Sequence, residues 1–193
     1  MSKQEITHFY PKTKQHWRKW LVKNHLRKDA VWLIHYKKNA GKQTICWSDA
    51  VDEALCFGWI DSKGVTIDET SFKQYYCKRK PTSTWSKINK EKLKQLIAAN
   101  KMADAGLACI EIAKQNGSWT ILDEVEELII PKDLSRAFQN HKGAEEYFQS
   151  LSKSKQKYLL QWIVLAKQQQ TRQKRIDEIA LCASEEKMPK HLQ

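Results

Sequence analysis

The chain has 193 residues, enough for one ordinary domain or two small lobes, and its apolar share of 41% excludes a disordered protein. No stretch approaches 18 consecutive apolar residues, and the N-terminus MSKQEITHFYPKTKQ has no apolar run, so we expect neither a membrane span nor a signal peptide. Five cysteines are scattered singly without any CxxC pair. This usage favours reduced thiols, a cytoplasmic location, and no metal or other cofactor.

The net charge of +12 is concentrated in the first half of the chain. Up to Ile97 there are 20 Lys and Arg against 9 Asp and Glu, whereas the remainder has 14 against 13. Such asymmetry favours an anionic partner for the first half, either a small molecule or a nucleic acid. The alternative is a basic surface that only keeps the protein in solution.

Residues before about 83 alternate between helical and extended patterns. Trp17, Trp20 and Leu21 recur at helical spacing, which predicts an amphipathic helix near the N-terminus. Ser48 as N-cap and Gly58 as the stop predict a second helix. Short runs rich in β-branched and aromatic residues predict strands at 30–36, 59–67 and 71–78, with a further extended piece at 43–47.

After residue 83 the pattern is helical throughout, and one of Ser83, Thr84 and Ser86 is expected to cap the first helix there. The fold class is therefore expected to be α+β. A small N-terminal lobe with a few antiparallel strands, a basic surface and helices (1–83) packs on a C-terminal helical lobe (84–187). Residues 188–193 are expected to fray.

Several motifs resemble the YdeI/OmpD-associated, bacteriocin-protection family over roughly residues 15–187. They are ALCFGWIDSK at 54–63, RKPTSTWSKIN at 79–89, IPKDL at 130–134 and QWIVLAKQQQTRQKRIDEI at 161–179. The last lies in a segment, about 130–187, that resembles the small helical module for which the family is named. The resemblance implies a cytoplasmic bacterial protein with a stress or bacteriocin-protection role, and it implies no reaction. Cys77-Lys78 stands where members read Thr-Pro.

The first candidate site combines cations with hydroxyls at a helix start. Arg79 and Lys80 precede a segment that contains Ser83 and Ser86. A helix N-terminus offers free N–H groups and a partial positive charge, and Arg can hold a phosphate or carboxylate with two hydrogen bonds. Trp85 is a flat side chain on which a ligand ring can stack. Alternatively, the hydroxyls only cap the helix.

The second candidate lies on the strand before it. In an extended segment Trp59, Asp61 and Lys63 point to one side. Asp61 is a weak catalytic candidate, because burial beside Trp and Arg could raise its pKa and make it a general base. The alternative is a structural ion pair between Asp61 and Arg79. Whether the protein is an enzyme stays open.

The third candidate is a cluster of cations, Lys167, Arg172 and Arg175, near the junction of the last two predicted helices. These side chains are expected either to complete the positive wall of a cleft or to bind an acidic partner. The alternative is a solvated basic turn in which they pair with Asp177 or Glu178.

The leading hypothesis is a cytoplasmic protein that binds an anionic ligand, phosphate-bearing or nucleotide-like, in a cleft between the lobes. Trp59, Tyr76 and Arg79 would face the helix that starts near Trp85. Nucleic-acid binding through the basic half, without a recognisable motif, and a protein-interaction module in the closing helices are the alternatives. The sequence gives no indication of the oligomeric state.

Overall fold

A computed structural model describes residues 6–190. The chain divides into two compact units, one up to Trp119 and one from Thr120 onward. The α+β class is confirmed, because the first unit holds a four-stranded sheet with helices and the second is helical. The division differs from the composition boundary at 83/84, since two helices beyond that boundary belong with the sheet. Within residues 6–190 no helix is both long and apolar enough to span a membrane.

The sheet has the strand order β1-β2-β4-β3, with β1 parallel to β2 and the other two pairs antiparallel. Its strands are β1 (His8–Phe9), β2 (Ala30–Tyr36), β3 (Trp59–Thr66) and β4 (Ser71–Lys78). Three of them match the predicted strands to within a residue. The sequence did not predict β1, which is too short for a periodic pattern, and the extended piece predicted at 43–47 is not a strand.

The helices of the first unit are α1 (Lys14–Asn24), α2 (Trp47–Cys56), α3 (Lys87–Ala98) and α4 (Asp104–Gln115). Thr13 caps α1 by accepting a hydrogen bond from the His16 N–H, and Ser86 caps α3 by accepting from the Asn89 N–H. The N-cap predicted for α2 was wrong. Cys46 takes that position, and its Sγ accepts from an N–H in the first turn.

One face of the sheet packs into the core of the first unit, and the opposite face stays half-exposed. On β2 the buried positions Val31 and Leu33 alternate with the half-exposed Trp32 and Ile34, as period-2 geometry requires. The buried face joins one apolar cluster with Trp17 from α1 and with residues of α2. The core therefore lies on one side of the sheet only.

Helix α4 approaches the end of α2 closely enough to require glycine. A Cβ added at Gly106 would lie 2.2 Å from the carbonyl oxygen of Cys56. The same carbonyl accepts a hydrogen bond of 3.0 Å from the Ala103 N–H. Between α2 and β3 the chain turns at Gly58, whose φ of +72° is a conformation that favours glycine. This turn and α4 form two walls of the pocket described below.

The second unit contains five helices in its described part, α5 (Asp123–Glu126), α6 (Lys132–Gln139), α7 (Ala144–Ser150), α8 (Lys153–Val164) and α9 (Gln169–Ser184). Its core forms a separate apolar cluster that includes Leu134, Phe148, Ile163 and Ile176. Met188, placed in the predicted frayed tail, packs against this core, and residues 191–193 of that tail lie outside the described residues.

Candidate functional site

A pocket of about 200 Å³ opens in the first unit beside Arg79. It lies where the end of α1, the turn after α2, the ends of β3 and β4, and one side of α4 meet. Its lining residues are His25, Leu26, Phe57, Gly58, Trp59, Lys78, Arg79, Pro81, Ala105, Ala108, Cys109 and Ile112. The boundary predicted from the sequence at 83/84 placed α4 and the strands in different lobes, whereas in the structure residues of both line one pocket.

Arg79 is buried, with 9% of its surface exposed, directly after β4. Its backbone N–H donates to the Gly58 carbonyl at 2.9 Å, which fixes the chain at the pocket edge. In the side chain, Nη1 donates to the Thr84 carbonyl at 2.9 Å, and Cζ lies 3.5 Å from the centre of the Trp85 ring. The buried Nε has no hydrogen-bond partner.

No Asp or Glu among residues 6–190 lies within ion-pair distance of the Arg79 guanidinium. Burial lowers the pKa of Arg79 to about 10, so the side chain stays protonated at neutral pH. A buried charge is costly unless it is paired, and here the direct contacts are a neutral carbonyl and an aromatic ring, while Asp61 contributes only a longer-range attraction without an ion pair. The site therefore carries a positive charge without a direct acidic partner at the wall of a pocket.

Two other polar side chains of the pocket already have partners. The Lys78 ammonium lies 3.0 Å from a carboxylate oxygen of Asp29 and 3.0 Å from the Leu26 carbonyl. Trp59 Nε1 donates to the His25 carbonyl at 3.3 Å. The rest of the wall is largely apolar, since it comes from aliphatic and aromatic side chains. The pocket thus combines one available charge with an apolar interior.

Cys109 brings a thiol to the same pocket. Burial raises the pKa of this thiol, and the nearby Arg79 guanidinium only partly opposes the increase. A protonated thiol is a weak nucleophile, so the geometry favours binding over covalent chemistry at this residue.

The residues predicted for the first candidate site divide into lining and supporting positions. Arg79 lines the pocket, and Trp85, which is 2% exposed, lies against the guanidinium inside the core and does not line it. Ser83 Oγ accepts from the N–H of the exposed Lys80 at 3.0 Å, and Ser86 Oγ caps α3. The two hydroxyls therefore stabilise the turn and the helix start.

Tyr76 and Trp59 both belong to the buried face of the sheet, and only Trp59 lines the pocket. The Tyr76 hydroxyl is buried without a hydrogen-bond partner, and desolvation raises its pKa. The ring of Tyr76 packs edge-on against Trp17 with the ring centres 5.6 Å apart. In the structure this tyrosine contributes to the core of the first unit.

Asp61 is not paired with Arg79, so the structural ion pair considered from the sequence is absent. Its carboxylate accepts from Trp47 Nε1 at 3.0 Å and from Gln74 Nε2 at 3.3 Å, next to an irregularity in the β3–β4 pairing. Lys63 follows on the exposed part of β3, with its ammonium 5.7 Å from the centre of the Trp32 ring. Neither residue lines the pocket.

The predicted cations of the closing helices lie in the second unit. Arg172 donates to both carboxylate oxygens of Asp133, at 2.7 and 3.0 Å, and these bonds lower the pKa of Asp133. Arg175 donates to the Trp162 carbonyl and lies over the ring of that residue. Lys167 is exposed. Arg172 thus pairs with α6, and not with the acids of α9 considered from the sequence.

Sequence reasoning missed the wall supplied by α4 and by the end of α1. Ala105, Cys109 and Ile112 line the pocket at helical spacing on α4. His25, at the end of α1, also lines it. The one local signal was Gly106, because glycine inside a helix is unfavourable unless another backbone approaches closely. Within residues 6–190 no group of three or more His, Cys, Asp and Glu side chains could hold a metal ion.

Two family models match separate parts of the chain. Residues 9–109, just over half of the chain, match the family described as "Domain of unknown function (DUF8412)". Residues 127–186 match "Bacteriocin-protection, YdeI or OmpD-Associated". No curated protein and no solved structure matches the chain. The match over 127–186 confirms the predicted resemblance for that segment, whereas the motifs at 54–63 and 79–89 lie within the DUF8412 match. The chain therefore belongs to the DUF8412 family and carries a YdeI/OmpD-associated match in residues 127–186.

Proposed function

We propose that this protein binds a small anionic ligand with an apolar body, and that Arg79 holds the anionic group. The observation that carries the proposal is the buried guanidinium without an acidic partner at the wall of an apolar pocket. At 4 Å, opposite unit charges attract by about 4 kcal/mol at an effective dielectric constant of 20. An anion in the pocket would supply the missing countercharge.

The lining favours a carboxylate on a short aliphatic or aromatic body over a nucleotide. The pocket volume of about 200 Å³ lies below the range of drug-sized sites, which starts at about 300 Å³. Phosphate sites usually offer several N–H or hydroxyl donors, whereas neither Ser83 nor Ser86 lines this pocket. Phosphate-bearing ligands, which the sequence suggested, remain the second class to test.

The expected affinity is moderate. Hydrogen bonds between charged groups contribute about 1.5–3 kcal/mol each, and burial of about 100 Å² of apolar surface adds about 2.5 kcal/mol. Losses of translational and rotational freedom offset part of this gain. We therefore expect a simple aromatic or aliphatic carboxylate to bind with a Kd on the order of 0.1–1 mM.

Calorimetric titration of a panel of short carboxylates and phosphomonoesters tests the proposal. We expect binding by the parent protein and none by Arg79→Met, which keeps an unbranched stem and removes the charged guanidinium. Arg79→Lys should bind weakly, because lysine cannot form the bidentate contact. The matched control is Lys80→Met, which removes a neighbouring exposed charge and should bind like the parent.

Absence of binding across the panel, or equal binding by the parent and Arg79→Met, would contradict the proposal. Circular dichroism and cooperative unfolding of Arg79→Met separate loss of the ligand contact from loss of the fold. The cytoplasmic location, the protective role that the family name implies, and a protein-interaction role of the closing helices stay predictions.

A further inference from the structure

The half-exposed face of the sheet carries aromatic rings and lysines. We call this the outer sheet face and define it by Trp32 and Tyr36 on β2, Lys63 on β3, and Lys73 and Tyr75 on β4. All five side chains are half-buried or exposed, and the strand pairing places Trp32 directly opposite Tyr75. None of them lines the Arg79 pocket, so this surface is independent of the proposed anion site.

Each β2 ring on this face has a lysine ammonium beside it. Lys73 Nζ lies 4.8 Å and Lys63 Nζ 5.7 Å from the centre of the Trp32 ring. Lys42 Nζ lies 4.4 Å from the centre of the Tyr36 ring. Both rings are accessible, so an incoming flat group can replace these flexible side chains while the ammonium groups stay within reach.

The two ring positions are four residues apart on one strand, which corresponds to about 13 Å at 3.3 Å per residue. A second ring packs beside each of these two rings. The ring centres of Tyr75 and Trp32 are 5.0 Å apart, and those of Tyr10 and Tyr36 are also 5.0 Å apart. Neither β2 nor β4 contains an Asp or Glu. The outer sheet face therefore has two aromatic positions in a row, and its two central strands, β2 and β4, carry basic but no acidic side chains.

We propose that the outer sheet face binds single-stranded nucleic acid. Bases would stack on Trp32 and Tyr36, and Lys42, Lys63 and Lys73 would contact the intervening phosphates. The charge of the face complements a polyanion, and every base has a π-face that can stack without sequence preference. A duplex keeps its bases inside the helix, so the rings can reach bases only in a single strand. The sequence-derived alternative of nucleic-acid binding thereby acquires a defined surface.

Fluorescence anisotropy with a labelled 12-nucleotide oligothymidylate tests the proposal on the full chain at 50, 100 and 200 mM salt. Removal of one stacking ring should weaken binding on the order of tenfold. We therefore expect Trp32→Leu and Tyr36→Leu each to bind the oligonucleotide about tenfold more weakly than the parent, while Trp32→Phe retains most of the affinity. Leucine keeps an apolar side chain at a half-buried position, and the phenylalanine variant shows whether the ring itself matters.

The charge contribution is tested by a pair of double variants. For single strands the slope of log K against log salt is about −0.7 for each neutralised phosphate. Lys63→Ala/Lys73→Ala should therefore reduce the steepness of the slope by about 1.4. The matched control, Lys94→Ala/Lys114→Ala, removes two exposed lysines from helices and should leave the slope nearly unchanged.

Any of four results would overturn the proposal. The first three are no binding of the oligonucleotide at 50 mM salt, tighter binding of the corresponding duplex, and equal changes of the salt slope in the two lysine double variants. Equal affinities of Trp32→Leu and Trp32→Phe would also overturn it. Arg79→Met should bind the oligonucleotide like the parent protein, so a failure of the anion-site proposal leaves this outcome unaffected.

Discussion

Replacing Gly106 by alanine tests how closely α4 packs on the end of α2. The added Cβ would lie 2.2 Å from the Cys56 oxygen and 2.8 Å from its carbon, whereas Cβ atoms essentially never approach other atoms within 3.0 Å. Helix α4 would have to retreat by roughly 1 Å, which weakens the Ala103–Cys56 hydrogen bond of 3.0 Å. Overpacking costs about 1–3 kcal/mol and the lost hydrogen bond about 1 kcal/mol.

Helix propensity acts in the opposite direction, because alanine is favoured over glycine inside a helix by about 1 kcal/mol. We expect a net loss of about 2 kcal/mol in the free energy of unfolding, or roughly 8 °C in Tm. Urea unfolding followed by circular dichroism and tryptophan fluorescence measures it. Glu111→Ala, an exposed change on the same helix, is the control and should stay within about 0.5 kcal/mol of the parent.

The steric clash destabilises the variant and the helix propensity of alanine stabilises it, so the sign of the measured stability change shows which of the two dominates. If Gly106→Ala were as stable as the parent or more stable, helix propensity would dominate and the close approach of α4 to α2 would be incorrect. Because Ala105 and Cys109 on α4 line the pocket, a retreat of the helix should also weaken carboxylate binding. A destabilised variant with unchanged ligand affinity would show that α4 does not form the pocket wall.

Two further predictions concern pH. Hydrogen bonds from Arg172 lower the pKa of Asp133 in the folded protein below its ordinary value of 3.8. The ion pair therefore stabilises the fold at pH values above 3.8, and this stabilisation is lost as the pH falls through the pKa that Asp133 has in the folded state. Asp133→Asn should lower the free energy of unfolding by about 0.5–1 kcal/mol at pH 7. The urea midpoints of the variant and the parent should converge at pH 2, and a difference that persists there would contradict this prediction. Burial lowers the pKa of His35, so the unfolded state takes up its proton first as pH falls below 6.5. The parent should therefore lose more stability between pH 7.5 and 5.5 than His35→Gln, and parallel losses would refute the assignment.

Local patterns were sufficient for most of the first unit. The strands β2, β3 and β4 could be predicted because short β-branched and aromatic runs are bounded by turn residues. Ser86 was among the predicted caps and takes that position. Cys46 could not be identified as an N-cap because a thiol rarely has that role, and Ser48 follows it two residues later with a better-suited side chain.

The pocket could be predicted only in part. Arg79 and Trp59 were candidates because charge and aromatic residues are concentrated near a helix start, and both line the pocket. Local sequence could not show that Trp85 stacks on the guanidinium from the core side, or that Asp61 is engaged by other side chains. Those contacts depend on long-range packing, as does the wall that α4 supplies.

A crystal structure of the protein grown with excess benzoate tests the central claim most directly. We expect the carboxylate within about 3 Å of the Arg79 guanidinium and the phenyl ring against Phe57 and Ile112. The absence of benzoate from the pocket, with Arg79 paired instead to an Asp or Glu of the chain, would contradict the proposed anion site.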